Sequence, residues 1–378
     1  MKVLQRYFTT EIVRSVLFAL AVLLALIAFF DLTSELQSVG RGGYKLQHAF
    51  FFVLLGMPGN AYELMPIAAL IGTIYTLSQF AARSEFTIMR ASSMSTTMTA
   101  AMLFKIGLIF VLATVLIGEF IAPKSAEFAE KIKLRAKGAS ISQQFKSGLW
   151  SKDVIRAGGM TGEVVGSRFV NIREIRPDGE LQGVKLYEFD RNQHLTSMIL
   201  AGHANYQGTH MWRMSDVVQT DFANGASVED ITRSIATKKF ASKDLVSEIT
   251  PEILSVLFAD PDRMSAYNLN SYIGHLKENN QHTERYEIAF WKKVVYPLSV
   301  LVMMALALPF AYLHFRAGGV SLKIFTGIMI GVSFQLVNTL FSHLGLLNTW
   351  PPFVTAALPS TLFLLVAIGV LWRIERRH

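Results

Sequence analysis

Apolar and polar positions divide the chain into three blocks. Apolar runs occupy residues 13–30, 46–80, 99–121, 294–315, 320–341 and 353–372, and a polar block of residues 124–293 separates the first three from the last three. A membrane-crossing helix needs roughly 20 apolar residues, so each run can supply a span. Residues 46–80 exceed that need, because as one helix they would reach about 52 Å against a hydrocarbon core of about 30 Å. Pro58-Gly59-Asn60 and Pro66 are expected to break the run, leaving a span near residues 62–80 and residues 47–55 at the outer interface. The third span is expected to stop at Pro123.

Inside the polar block the period shortens to two. Residues 168–175, 181–190, 194–206 and 210–222 read as strands, separated by Pro177-Asp178-Gly179, by Asp190 to Gln193 and by Gln207-Gly208. Short alternating strands of this kind suggest a sandwich, a jelly roll or an open barrel. Residues 125–137 and 267–286 read as helices joining that domain to the membrane. The expected fold is α-helical and membrane-spanning, with six transmembrane helices and an inserted all-β domain. Its divisions are residues 1–123, 124–293 and 294–378.

Composition agrees with the membrane reading. The chain of 378 residues is 51% hydrophobic with a mean hydropathy of +0.36, values that soluble domains rarely reach. A formal charge of +8 is read as cytoplasmic loops and anionic lipid contacts rather than nucleic acid. With no cysteine, disulfides, thiolate metal sites and a cysteine nucleophile are excluded. The first apolar run lacks a small-residue cleavage site and is read as retained rather than as a signal peptide.

Charge also sets the expected orientation. Lys2, Arg6, Arg14, Arg83, Arg90, Lys105, Arg316, Lys323, Arg373, Arg376 and Arg377 fall on one side of the spans. Only Arg41 and Lys45 occupy short loops on the other. Both termini are therefore expected in the cytoplasm, with the β domain outside.

Candidate chemistry is sparse. No phosphate-cradling G-x-x-x-x-G-K-[ST], H-E-x-x-H or G-x-S-x-G occurs, so nucleotide hydrolysis by this chain is not expected and no cofactor is implied. His194, His203 and His210 are read as strand residues in preference to metal ligands. Glu63 and Glu119 near span ends are either interfacial anchors or contacts for a proton or substrate. Lys124, Lys131, Lys133, Arg135 and Lys137, interleaved with Glu127 and Glu130, form either a solvated helix face or a cationic collar for an anionic lipid head group, with Arg41 and Lys45 nearby. Between spans two and three, residues 81–95 alternate Arg83, Glu85 and Arg90 with Phe86, Ile88 and Met89. That stretch is either a plain connector or a short surface helix that docks on a cytoplasmic partner. Glu85 near its start would be favoured by the helix dipole.

Four segments then acquire a joint meaning: residues 82–92 (ARSEFTIMRAS), residues 117–123 (IGEFIAP), Gly148-Leu149-Trp150 and residues 291–304 (WKKVVYPLSVLVMM). Together with the order of three spans, β domain and three spans, they resemble the lipopolysaccharide-export permease family (LptF/LptG) along essentially the whole chain. Gly148-Leu149-Trp150 and residues 286–304 are more similar to G-type than to F-type members. The resemblance implies one of two paired permease subunits of an ATP-driven exporter in a Gram-negative inner membrane. Its expected partners are a cytoplasmic ABC ATPase dimer, a homologous F-type permease subunit, a periplasmic bridge protein with a jelly-roll fold, and lipopolysaccharide. Glu85 matches the family's acidic coupling-helix residue, and the resemblance makes Arg83, Phe86, Met89 and Arg90 its companions at the ATPase contact. Lys133 falls where the family carries a basic residue near the substrate phosphates, which groups Arg41, Lys45, Lys124 and Arg135 with it as lipid-binding candidates. Asp31, Gln37 and Ser38 depart from lysines that G-type members can carry there. The first and fifth spans would line the lateral opening for the lipid, and the β domain would be a jelly roll. A periplasmic-domain sensor or anchoring protein without transport activity is the rival reading. An exporter subunit that pushes a periplasmic partner mechanically fits less well, because such subunits typically have four spans.

Overall fold

A computed structural model describes residues 2–40, 43–85, 88–89, 96–137, 148–157, 162–176, 179–222, 235–256, 260–279, 281–312, 320–348 and 350–376. Helices α1 (Lys2–Leu36), α2 (Leu46–Ala82) and α3 (Thr96–Leu116) come first. A π-turn (Ile117–Ile121) then leads into α4 (Ala122–Lys137). Strands β1 (Leu149–Arg156), β2 (Val164–Ile175), β3 (Leu181–Asp190), β4 (Leu195–Gly208), β5 (Met211–Phe222) and β6 (Ile235–Val246) follow. Helices α5 (Pro251–Val256), α6 (Ala266–Glu278) and α7 (Glu284–Val295) lead back, and α7 enters a span completed by α8 (Ser299–Ala307) and α9 (Pro309–Tyr312). The last spans are α10 (Val320–Leu347) and α11 (Pro352–Glu375). Among the described residues, six helical stretches are thus long and apolar enough to cross a membrane.

Two expected breaks do not occur. Helix α2 runs unbroken through Pro58 and Pro66 for 37 residues, about 55 Å at 1.5 Å per residue. Its most apolar window is 78% buried, and inside a bundle neighbouring helices compensate for the donor that proline lacks. The helix of the third span also continues through Pro123. The π-turn widens the helix just before it, with the Ala122 N–H bonding to the Ile117 carbonyl. A wider turn relieves the clash that proline makes with the preceding turn.

Helix α2 is the hub of the membrane half. Gly72 lies against α1 so closely that an added Cβ would fall 2.6 Å from Val16 Cα, and the Thr76 hydroxyl donates to Ser15 Oγ at 2.8 Å. Gly327 and Gly331 of α10 make room for the Ile74 and Ile67 side chains of α2, whose methyl carbons would lie 2.8 and 2.9 Å from an added Cβ. Small residues at a crossing let helix backbones approach where no hydrophobic force drives them together in lipid. Phe8, Leu70, Leu77, Met303 and Phe334 fill the core. Phe18, Phe29, Phe30, Phe325 and Leu336 instead face outward from α1 and α10.

The β domain is one antiparallel sheet with strands paired in chain order, β1-β2-β3-β4-β5-β6. Turn residues act where their chemistry places them. Gly179 and Gly208 take positive φ, and the Asp190 carboxylate accepts the Asn192 and His194 N–H groups. The sheet curls around Ile172, Leu186, Ile199, Trp212 and Met214, leaving about 20 Å³ of free space in the apolar interior. Arg168 closes the curl by donating from β2 to the Val246 carbonyl at the end of β6, 3.1 Å away. It also pairs with Asp153 at 3.2 Å and with Glu188 at 2.7 Å.

Candidate functional site

At the end of α2 remote from the β domain, the helix stops at Ala82 and Ser84 turns the chain with φ of +60°. Glu85 is helical again, and the Ile88 N–H donates to the Ser84 carbonyl at 3.1 Å, as in the first turn of a new helix. The Glu85 carboxylate accepts from the Tyr7 hydroxyl at 3.2 Å and pairs with Arg83 at 3.8 Å. Tyr7 and Phe8 both pack on Phe80, with ring centroids 5.5 and 5.4 Å apart. The start of α1, the end of α2 and Glu85 therefore form one cluster. Ile88 is exposed, whereas Met89 is buried in the hydrophobic core of the helical half. Phe86 and Arg90 lie outside the described residues.

Toward the β domain, α1, α2, α4 and α7 surround a cavity of about 290 Å³. Asp31, Glu35, Glu63, Arg263 and Lys293 line it beside Phe52 and Tyr62. Lys133 pairs with Glu35 at 2.6 Å and lies 4.2 Å from the Phe52 ring centroid. The other Glu35 oxygen accepts from the Tyr44 hydroxyl at 3.1 Å. Burial, and then the Glu35 charge, push the Tyr44 pKa well above its ordinary value. Across the cavity, Asn60 donates to Asp31 at 3.0 Å and Lys293 stands 4.6 Å from the Tyr62 ring centroid.

The basic candidates do not form a uniform ring. Lys133 is half-buried and already held by a carboxylate. Lys45 is exposed at the start of α2, its backbone N–H donating to His48 Nδ1 at 3.0 Å. Lys124 is exposed near the start of α4. Arg41 and the side chain of Arg135 lie outside the described residues.

Glu119 joins the two halves of the molecule. From the π-turn its carboxylate accepts the Ala266 and Tyr267 N–H groups at 2.8 and 3.1 Å, at the N-terminus of α6. The far end of α6 meets the sheet. Lys152 donates to the Asn279 carbonyl at 3.1 Å, and Arg156 pairs with Glu278 at 3.5 Å and with Glu248 at 2.9 Å. Sequence reasoning found Lys133 and Glu119 but neither of their partners, Glu35 and the start of α6, which lie 98 and more than 140 residues away. No local pattern marks contacts at such separations.

Six apolar spans, a buried central helix and a β domain strapped to the third span define a polytopic membrane protein with a large extramembrane module. The chain belongs to the lipopolysaccharide export system permease LptF/LptG family, whose model matches residues 6–373. It is 31% identical over 372 residues to the lipopolysaccharide export system permease protein LptG of Escherichia coli (strain K12), covering 98% of each chain. It is 29% identical over 376 residues to the Haemophilus influenzae (strain ATCC 51907 / DSM 11121 / KW20 / Rd) protein of the same name, covering 99% of each.

Proposed function

We propose that this chain is the G-type permease subunit of an ABC exporter. It extracts lipopolysaccharide from the outer leaflet of the inner membrane and passes it to a periplasmic bridge protein for transport to the outer membrane. Its proposed partners are a cytoplasmic ABC ATPase dimer, an F-type permease subunit and that bridge, which has a jelly-roll fold. Both termini then lie in the cytoplasm and the β domain in the periplasm. The full-length match to the permease family carries the reading.

The geometry supports a route for the work. Helix α2 is one continuous rod, with the Glu85 cluster at one end and the polar cavity along its other half. ATP-driven closure of the ATPase would press on the helix that begins at Glu85. Tyr7 and Phe80 would pass the displacement to α1 and α2 together. Outward-facing Phe29, Phe30 and Phe325 offer acyl chains an apolar wall. At the cavity, Lys133 would meet a phosphate by exchanging its bond to Glu35 for one to the lipid.

Reconstitution with the F-type subunit, the ATPase and the bridge tests the proposal. ATP should drive lipopolysaccharide from proteoliposomes onto the bridge, and Glu85→Arg should reduce that transfer by about tenfold or more. ATP-independent transfer, or equal transfer by the variant, would remove the coupling role from this stretch.

A further inference from the structure

A second cavity opens at the remote end of the spans, beside the start of α1 and away from the polar cavity near the β domain. It has a volume of about 360 Å³ and lies between α1 and α3. Gln5, Arg6 and Thr10 line it from α1, and Met102, Lys105 and Ile109 from α3. Lys105 is the one charged residue of α3, about 13 Å along the helix from its start. Among the described residues neither Arg6 nor Lys105 has an ion pair. The nearby acids are engaged elsewhere, Glu11 with Arg14 at 3.6 Å and Glu85 with Arg83 and Tyr7. Both cations are exposed at the mouth of this recess, and exposed basic side chains beside an apolar helix face are placed to meet the phosphates of anionic lipids. Beyond the two cations α3 turns an apolar strip outward, with Phe104, Leu108, Ile109 and Leu112 exposed. Charge at one end and an open apolar strip running away from it match a phospholipid, whose phosphate and chains are covalently joined. A soluble anion would use only the first half.

We infer that the α1–α3 cavity binds the phosphodiester head group of an anionic phospholipid. Arg6 and Lys105 hold the phosphate, and the acyl chains lie along Phe104, Leu108 and Leu112. The inner leaflet supplies this lipid if the termini are cytoplasmic, as in the reading above. Binding does not require export, so the two readings fail separately. Basic recesses between spans near the cytoplasmic face are physically suited to such head groups. A bound lipid there would wedge the start of α1, which carries Tyr7 and so touches the proposed ATPase-coupling cluster.

The test uses the full complex in nanodiscs, with a photo-crosslinker at Ile109 and radiolabelled phosphatidylglycerol or phosphatidylcholine. Phosphatidylglycerol should label the site preferentially. Arg6→Gln with Lys105→Gln should cut labelling by at least about tenfold, the scale of a single lost charge-assisted contact. Arg6→Lys with Lys105→Arg should retain it, which separates loss of charge from misfolding. A crosslinker at Phe325, which faces outward on α10, should label equally in all three proteins. Equal labelling by the two lipids would overturn the inference, as would undiminished labelling in the glutamine variant. Competition by millimolar inorganic phosphate would overturn the lipid source and assign the site to a soluble anion.

Discussion

Glu85 and Glu35 sit at opposite ends of the α1–α2 hairpin, and each is met by one tyrosine hydroxyl and one cation. Glu85 has Tyr7 at 3.2 Å and Arg83 at 3.8 Å; Glu35 has Tyr44 at 3.1 Å and Lys133 at 2.6 Å. The chemistry is the same, but the surroundings are not. Arg83 is two residues from Glu85 and 63% exposed, so solvent screens the pair. Lys133 is 98 residues from Glu35, 21% exposed, and seated on an aromatic ring. The second pair therefore joins α4 to α1, whereas the first leaves its carboxylate available. A carboxylate that is cheap to release suits a partner contact, and one that is costly to release suits a joint.

The difference can be broken or sharpened experimentally, beginning with the change that costs folding most. Arg168→Leu strands Asp153, which is wholly buried, and should destabilise the β domain by about 3–5 kcal/mol. Hydrogen exchange across β1, β2 and β6 would report it. Glu35→Ala leaves Lys133 unpaired and half-buried, and should cost about 1–3 kcal/mol. The same change should increase lipopolysaccharide crosslinking near Lys133, because it frees the cation; decreased crosslinking would mean that the pair itself is the binding element. Lys133→Glu with Arg135→Glu should lower that crosslinking, and normal crosslinking would favour a merely solvated face. Glu119→Ala removes the acceptor for the first two N–H groups of α6, leaving only the Ser265 cap, and should cost about 1–2 kcal/mol, read as faster exchange at Ala266 and Tyr267. Glu85→Arg should cost under about 1 kcal/mol, while its effect on export should be the largest of the set.

The joint between α6 and the sheet should also respond to acid. Burial lowers the pKa of His275, which lies 3.8 Å from Glu248. Arg156, Asp153 and Glu278 are the other charged groups around the pair. A histidine whose folded pKa is depressed binds its proton more readily when unfolded, so its contribution is lost as pH falls below about 6.5. Glu248 is raised by burial and acts in the opposite sense, gaining stability as pH falls through its folded value. His275→Gln should therefore flatten the acid-side loss, and Glu248→Gln should steepen it, in melting curves from neutral pH to about pH 5.5. Parallel curves for wild type and both variants would dismiss the joint as a titrating element.

Strands β2 to β5 were legible because their apolar residues alternate and their turns carry Gly, Asn and Asp. Strands β1 and β6 were not. Trp150-Ser151-Lys152-Asp153 reads as polar loop until Arg168 arrives from β2 to neutralise Asp153. Lys238, Lys239 and Lys243 likewise disguise β6, although charge on an edge strand is how sheets discourage further pairing. In the site, Glu85 and Lys133 could be named from their neighbours in the chain. Met89 was grouped with Glu85 at the ATPase contact, whereas the structure turns its side chain into the helical core.

The sequence by itself determined the number of spans, the insertion of a β domain between the third and fourth, the membership of the permease family and the absence of a phosphate-cradling motif. These follow from runs, periods and motifs within about 20 neighbouring residues. Tertiary structure decided that Pro58, Pro66 and Pro123 leave their helices continuous, because surrounding helices and a π-turn absorb the missing bonds. It also decided that Lys133 is paired, that Glu119 holds α6, and that Arg6 and Lys105 share a cavity. Each of those depends on partners brought together from distant parts of the chain, and the free energy of a charge depends on what surrounds it.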